Sequence, residues 1–168
     1  GTWWGFWYTD RDPKNNECYN RYSDKKFYFV DHSGVAIADM NIEHSFPKSW
    51  WGKEKNDAWC DLYNLYPSDA KANSDKSNYP MGVVVKVTKP AGEGYDKVGT
   101  GYADGQLIKM WEPGNRFKGE FARSYLYMAT TYQHLKWVNV GLQSLENNSW
   151  PTLREWAYKL YLKWSKQD

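Results

Sequence analysis

Two stretches decide how this chain folds. One is Asn41-Ile42-Glu43-His44-Ser45-Phe46-Pro47-Lys48-Ser49-Trp50, and the other is Asp61-Leu62-Tyr63-Asn64-Leu65-Tyr66-Pro67-Ser68-Asp69-Ala70-Lys71-Ala72-Asn73. Val35 to Met40 reads as a strand that delivers Asn41–His44, and the Pro- and Gly-broken run Ser45–Gly52 cannot continue as a long regular element. Leu62 to Tyr66 is apolar enough on both faces for a short buried strand. Pro67 then suits the first position of a helix, where the N–H it lacks has no partner anyway. That helix runs through Asn73 and should end near Asn78. Glu43 and His44 are adjacent in an extended segment, so their side chains point different ways. One is free to bind a metal while the other faces a water. Asn73 offers a neutral oxygen suited to a hard cation.

Outward from this centre, residues 1–26 show little periodicity, and Asp10–Asn16 reads as a loop. Phe27–Val30 is a short strand closed by Asp31-His32-Ser33-Gly34. Met81–Thr88 is the best strand by β-branched content, and Leu107–Trp111 is another. The glycine-rich residues between them, 89–106, read as a hairpin loop or irregular insertion. Phe117, Phe121, Tyr125, Met128 and Tyr132 make an apolar stripe of helical period. Leu153, Trp156, Leu160 and Trp164 make a second stripe, with Ser149 as cap and Pro151 in the first turn. The expected class is α+β, one domain over residues 1–168, with closing helices at about 115–134 and 150–166.

Composition sets bounds. The chain of 168 residues has 22 basic and 20 acidic side chains, and a net charge of +2 is too small to argue for a polyanionic partner by itself. With 11 Trp and 14 Tyr, not every ring can be buried. A glycan-binding module using Trp3, Trp4, Trp7, Trp50 or Trp51 is therefore a rival reading, although it leaves the Glu43-His44 and Asn73 spacing unexplained. No stretch approaches the roughly 20 apolar residues of a membrane span. The start Gly1-Thr2-Trp3 reads as processed. Cys18 and Cys60 admit one disulfide of an exported protein or two free thiols; the bridge is the expectation. Of the other histidines, His32 reads as a solvated turn residue and His134 as a helix-end residue.

The two quoted stretches, together with Ser77-Asn78-Tyr79-Pro80 and Lys118-Gly119-Glu120-Phe121-Ala122-Arg123-Ser124-Tyr125-Leu126-Tyr127-Met128, closely resemble the bacterial endonuclease I family, a group of His-Me finger (ββα-metal) nucleases. The resemblance covers roughly residues 20–165, and the order and spacing of three blocks carry it. It implies a ββα-metal core at about residues 35–78, with additional helices and short antiparallel strands. By the same resemblance Glu43 and Asn73 match metal ligands and His44 the general base. Arg123 matches the family's Ala-Arg helix motif as a catalytic phosphate contact, with a structural ion pair to Glu120 as the alternative. Lys48, Asn64, Lys76 and Asn78 are the candidate substrate-binding residues. Lys76 stands where the family often has Arg, so a point charge replaces a bidentate fork.

Such a nuclease is expected to act as a secreted or periplasmic monomer on DNA, with RNA as an alternative. It should use Mg²⁺, or Mn²⁺ or Ca²⁺, and should show little sequence preference and leave 5′-phosphates. A nuclease-like domain without activity is the further alternative.

Overall fold

The computed structural model describes residues 1–167. Its regular elements are α1 (Thr2–Thr9), β1 (Glu17–Cys18), β2 (Phe27–Tyr28), β3 (Met40–His44), β4 (Leu65–Asp69), α2 (Ala70–Lys76), β5 (Lys86–Pro90), β6 (Lys97–Ala103), β7 (Gln106–Glu112), α3 (Lys118–Thr131) and α4 (Glu155–Ser165). The architecture is α+β: four helices with three small antiparallel sheets, β1–β2, β3–β4 and β5–β6–β7.

The main core gathers around α3. Phe121, Tyr125 and Met128 of the expected stripe are fully buried, and Tyr132 nearly so. They pack with Phe46, Trp50, Trp111 and Tyr161 in one apolar cluster. Rings of this size each contribute roughly 1.5–3 kcal/mol on burial, so a core of few aliphatics is well supplied. The Tyr125 and Tyr161 rings meet edge to face at 5.5 Å, joining α3 to α4. On α4 the buried side chains are Ala157, Tyr161 and Trp164, while Trp156 and Leu160 are only half-covered. The face read from the sequence was therefore rotated, and α4 begins after Arg154 rather than at Pro151. A second cluster packs Trp3 and Phe6 of α1 onto Cys18, Phe27, Met40 and Leu65, behind β3 and β4.

The central segment departs from expectation in its boundaries. β3 begins at Met40, so Val35–Asp39 is irregular, and Val30 and Val35 are exposed. Leu62–Asn64 is a 3₁₀ turn, and the strand lies at Leu65–Asp69, pairing Glu43 with Tyr66 and His44 with Leu65. Pro67 sits inside that strand. A two-stranded ladder leaves each strand an open edge, where proline is tolerated. The helix instead starts after Asp69, whose carboxylate accepts from the Lys71 N–H, the usual service of an N-cap Asp.

The glycine-rich stretch is not a loop. Gly99 and Gly101 lie within β6, and a Cβ there would stand 1.9 Å from the Lys86 carbonyl oxygen and 2.0 Å from that of Val83. Strand β6 needs these glycines because the neighbouring backbone approaches too closely for any side chain. The expected bridge is not formed: Cys18 is a buried free thiol in the second cluster, and Cys60 is an exposed one.

Among the described residues no helix is long and apolar enough to cross a membrane. Trp3, Trp50 and Trp51 are buried, which removes them from any glycan platform. His32 is no solvated turn residue either, since its ring stacks on Trp4 at 5.4 Å and on Trp7 at 5.0 Å.

Candidate active site

The segment leaving β3 is fastened from three sides. Asn64 is fully buried. Its carboxamide oxygen accepts from Phe46 N at 2.7 Å, and its nitrogen donates to Phe46 O at 2.9 Å. Ser45 N donates to Asn64 O at 3.1 Å. The Ser45 carbonyl in turn accepts from Lys76 Nζ at 2.8 Å and from the Tyr125 hydroxyl. From α3, Ser124 donates to Tyr63 O, while the hydroxyls of Tyr127 and of Tyr132, just past the helix end, hold Asp61 at 2.8 and 2.6 Å. The Lys118–Met128 block thus anchors the turn that enters β4.

His44, at the end of β3, is 9% exposed. Its Nε2 lies 2.7 Å from the Trp59 carbonyl oxygen. A carbonyl can only accept, so Nε2 carries the hydrogen and Nδ1 keeps its lone pair. Burial pulls the imidazole below its ordinary pKa, the Trp59 carbonyl opposes this, and Lys48 and Lys76 add to it. The ring is therefore neutral at neutral pH and able to accept a proton.

Glu43 is buried, and its Oε2 has no hydrogen-bond partner. Burial pushes its carboxyl up to about 7, against the pull of Lys76 and Lys48. An unpartnered carboxylate oxygen at such depth is costly unless another positive charge meets it. Asn73, on α2, donates from Nδ2 to Asn41 Oδ1 at 3.2 Å, which leaves its carboxamide oxygen to accept or to ligate.

Glu43, His44 and Asn73 line one open cleft of about 290 Å³, together with Lys48, Lys53 and Asn78. Sequence reasoning brought the first three together, and Lys48 and Asn78 with them. The orphaned oxygen of Glu43 and the free oxygen of Asn73 are donors that fit a hard divalent cation. Among the described residues no group of three or more His, Cys, Asp or Glu forms a denser metal cluster.

Three expectations are corrected. Asn64 does not line the cleft: it is buried, and its carboxamide is spent on the Phe46 backbone in the interior. Lys76 is fully buried, with Nζ on Ser45 O and 4.8 Å from the centre of the Trp111 ring; it supports the floor of the cleft and does not line it. Arg123 does not line the cleft either. Its exposed guanidinium donates to Ser165 O at 2.9 Å and Gln167 O at 3.2 Å, tying α3 to the end of α4. Glu120 pairs instead with Arg21. Arg123 borders a larger cavity of about 990 Å³ between α1 and α3, which shares no residue with the cleft.

Trp59, Asn41 and Lys53 escaped the sequence reading. Trp59 acts through a backbone carbonyl, which leaves no signature in residue type. Asn41 had a signal: it lies two residues before Glu43 and so on the same side of β3.

An α+β chain with an oriented imidazole, a buried carboxylate and a carboxamide in one cleft has the equipment of a hydrolase. Comparison with known proteins says of which kind. The family model described as Endonuclease I matches residues 5–168, and the chain belongs to that family, a family of nucleases. Relatives described as extracellular ribonucleases occur in Bacillus amyloliquefaciens and Bacillus subtilis (strain 168). Each is 30% identical to this chain, over 95% of it and 52% of the relative. The chain thus spans about half the length of the curated relatives it matches.

Proposed function

We propose that the chain hydrolyses phosphodiester bonds of nucleic acid, DNA and RNA alike, in the cleft of Glu43, His44 and Asn73. The observation that carries this reading is an imidazole fixed in one tautomer beside an unpartnered, buried carboxylate oxygen. In this reading β3, β4 and α2 form a His-Me finger (ββα-metal) core.

Glu43 and Asn73 hold one divalent ion, and so small a protein donor set suits Mg²⁺, which keeps much of its water, with Mn²⁺ or Ca²⁺ as alternatives. When bound, the ion supplies Lewis-acid stabilisation to the phosphoryl group and the departing 3′ oxygen. His44 Nδ1 accepts the proton of the attacking water. The Trp59 carbonyl keeps Nε2 protonated and steadies the positive ring that results. Lys48 and Lys53 offer positive charge to the phosphate, and Asn78 offers a carboxamide. Contacts made to phosphates carry no base information, in keeping with little sequence preference, and departure of the 3′ oxygen leaves 5′-phosphate products. The cleft is complete in one copy, consistent with a monomer. The extracellular ribonuclease relatives favour RNA as a substrate and secretion as the route.

Incubation with plasmid DNA and with RNA, in Mg²⁺, Mn²⁺ or EDTA, tests the proposal on a gel. Both polymers should be degraded with metal and spared in EDTA. His44→Ala should slow cleavage by about 10²–10⁴-fold. Polymers left intact by the wild type with either metal would overturn it.

A further inference from the structure

One face of the β5–β6–β7 sheet runs from the core beneath the cleft out into solvent. Val98 and Trp111 are cross-strand partners on that face, buried in the main core, and Lys76 of α2 lies over the Trp111 ring. Two residues along, the next row is Lys86–Thr100–Lys109, one residue from each strand. Directly paired residues project to the same side, and both lysines are exposed. Beyond them comes the pair Tyr102–Leu107, with Tyr102 62% exposed. Successive rows stand about 7 Å apart.

The face connects to the cleft. Lys109 Nζ lies 5.6 Å from the centre of the Tyr79 ring, and Tyr79 follows Asn78, which lines the cleft. Among the described residues neither Lys86 nor Lys109 has a carboxylate within 4.0 Å, whereas Lys89 and Lys97 are paired with Asp75 at 3.6 Å and Glu112 at 3.9 Å. Glu112 is buried, points to the other side of β7, and is also held by Lys118. The face thus carries uncompensated positive charge, with the exposed Tyr102 ring beside it and the half-buried Tyr79 ring at its edge.

We propose that this face is a track for the single-stranded part of a polynucleotide whose scissile bond lies in the cleft. Lys109, lying over the half-buried Tyr79 ring, and Lys86 meet phosphates, and the exposed Tyr102 ring stacks with a base. The proposal rests on the nuclease reading above. Cations that follow a backbone, with aromatic rings between them, suit a strand whose bases are free to stack, and a duplex hides those faces.

The test is a fluorescence-anisotropy titration with labelled single strands of about 12 and about 4 nucleotides and a duplex of about 12 base pairs, in EDTA so that nothing is cleaved. Wild type is compared with K86Q/K109Q and with Y102A. All three side chains are exposed, so melting temperatures should stay close to wild type. The double variant should bind the longer strand at least roughly tenfold more weakly, and its slope of log affinity against log salt should flatten by about 1.4, near 0.7 for each lost phosphate contact. Binding of the shorter strand should change by no more than about twofold. Tyr102→Ala should weaken the longer strand without altering the salt slope.

Unchanged affinity and slope in both variants, with a wild type that cleaves in Mg²⁺, would reject the track and leave the nuclease reading standing. A wild type that neither binds nor cleaves would remove both. A loss confined to a duplex of the same length would overturn the single-stranded assignment.

Discussion

The Asp96 carboxylate shows how much charge this interior holds. It is buried on the margin of β6, accepts from Trp111 Nε1 at 2.5 Å, and leaves Oδ1 without a partner. Burial pushes its carboxyl up to about 7, the Trp111 hydrogen bond and Lys76 pulling the other way. The folded value lies above the ordinary 3.8, so the folded state binds this proton more tightly than the unfolded chain. The stability tied to the proton is complete below about pH 4 and is lost as pH rises through about 7. Asp96→Asn mimics the protonated form. It should match wild type in denaturant melts near pH 4 and exceed it at pH 8, by up to about 4 kcal/mol. A difference that does not grow with pH would contradict this account of Asp96.

The same scale shows what residue type can and cannot reveal. Glu43, His44 and Asn73 were legible through the resemblance to the endonuclease I family, since an adjacent carboxylate and imidazole are by themselves weak evidence of a site. Asn64, Lys76 and Arg123 carry equally polar groups, and nothing in the letters says that the first two are buried. Their partners are backbone carbonyls and amides from distant segments, which exist only once the chain is folded.

At the scale of elements, helix α3 was legible because one period explains all its buried residues. Strand β4 was displaced by three residues because Pro67 fits both a helix start and an open strand edge, and the cap at Asp69 decided the matter. Strand β6 was missed because its glycines look like a loop unless the approach of the β5 backbone is known. At the β3 exit both backbone groups of Phe46 depend on one side chain, Asn64. Removing it as Asn64→Ala leaves the buried Phe46 N–H and C=O unpaired, at about 1–3 kcal/mol for each unsatisfied group. Urea denaturation should show a loss of a few kcal/mol. The KM of the surviving folded enzyme should stay near wild type, because Asn64 does not touch substrate. A raised KM at unchanged stability would return Asn64 to the substrate-binding set.

For the whole molecule, the α+β class followed from pattern, while the packing of α1 behind β3 and β4 did not, since residues 1–26 have no periodicity to read. We propose that residues 1–167 unfold as one cooperative unit. The free thiols report on it. Exposed Cys60 should be alkylated rapidly in the native protein, and Cys18, whose thiol burial pushes up to about 12, should react only on unfolding. Mass spectrometry should find one label in native buffer and two in denaturant. The second label should appear at the same urea concentration as the loss of helix signal. A single Cys18–Cys60 bridge by mass, or Cys18 labelled before the helices melt, would count against this picture.

The central claim is that Glu43 and Asn73 grip a divalent ion beside a His44 that serves as base and not as ligand. Titration of Mn²⁺ by electron paramagnetic resonance separates these roles. Wild type should bind one tight ion per chain, Glu43→Gln and Asn73→Ala should each weaken it by roughly 10-fold or more, and His44→Ala should bind it normally while failing to cleave. Equal Mn²⁺ affinity in all four proteins, or loss of the ion in His44→Ala alone, would contradict the account.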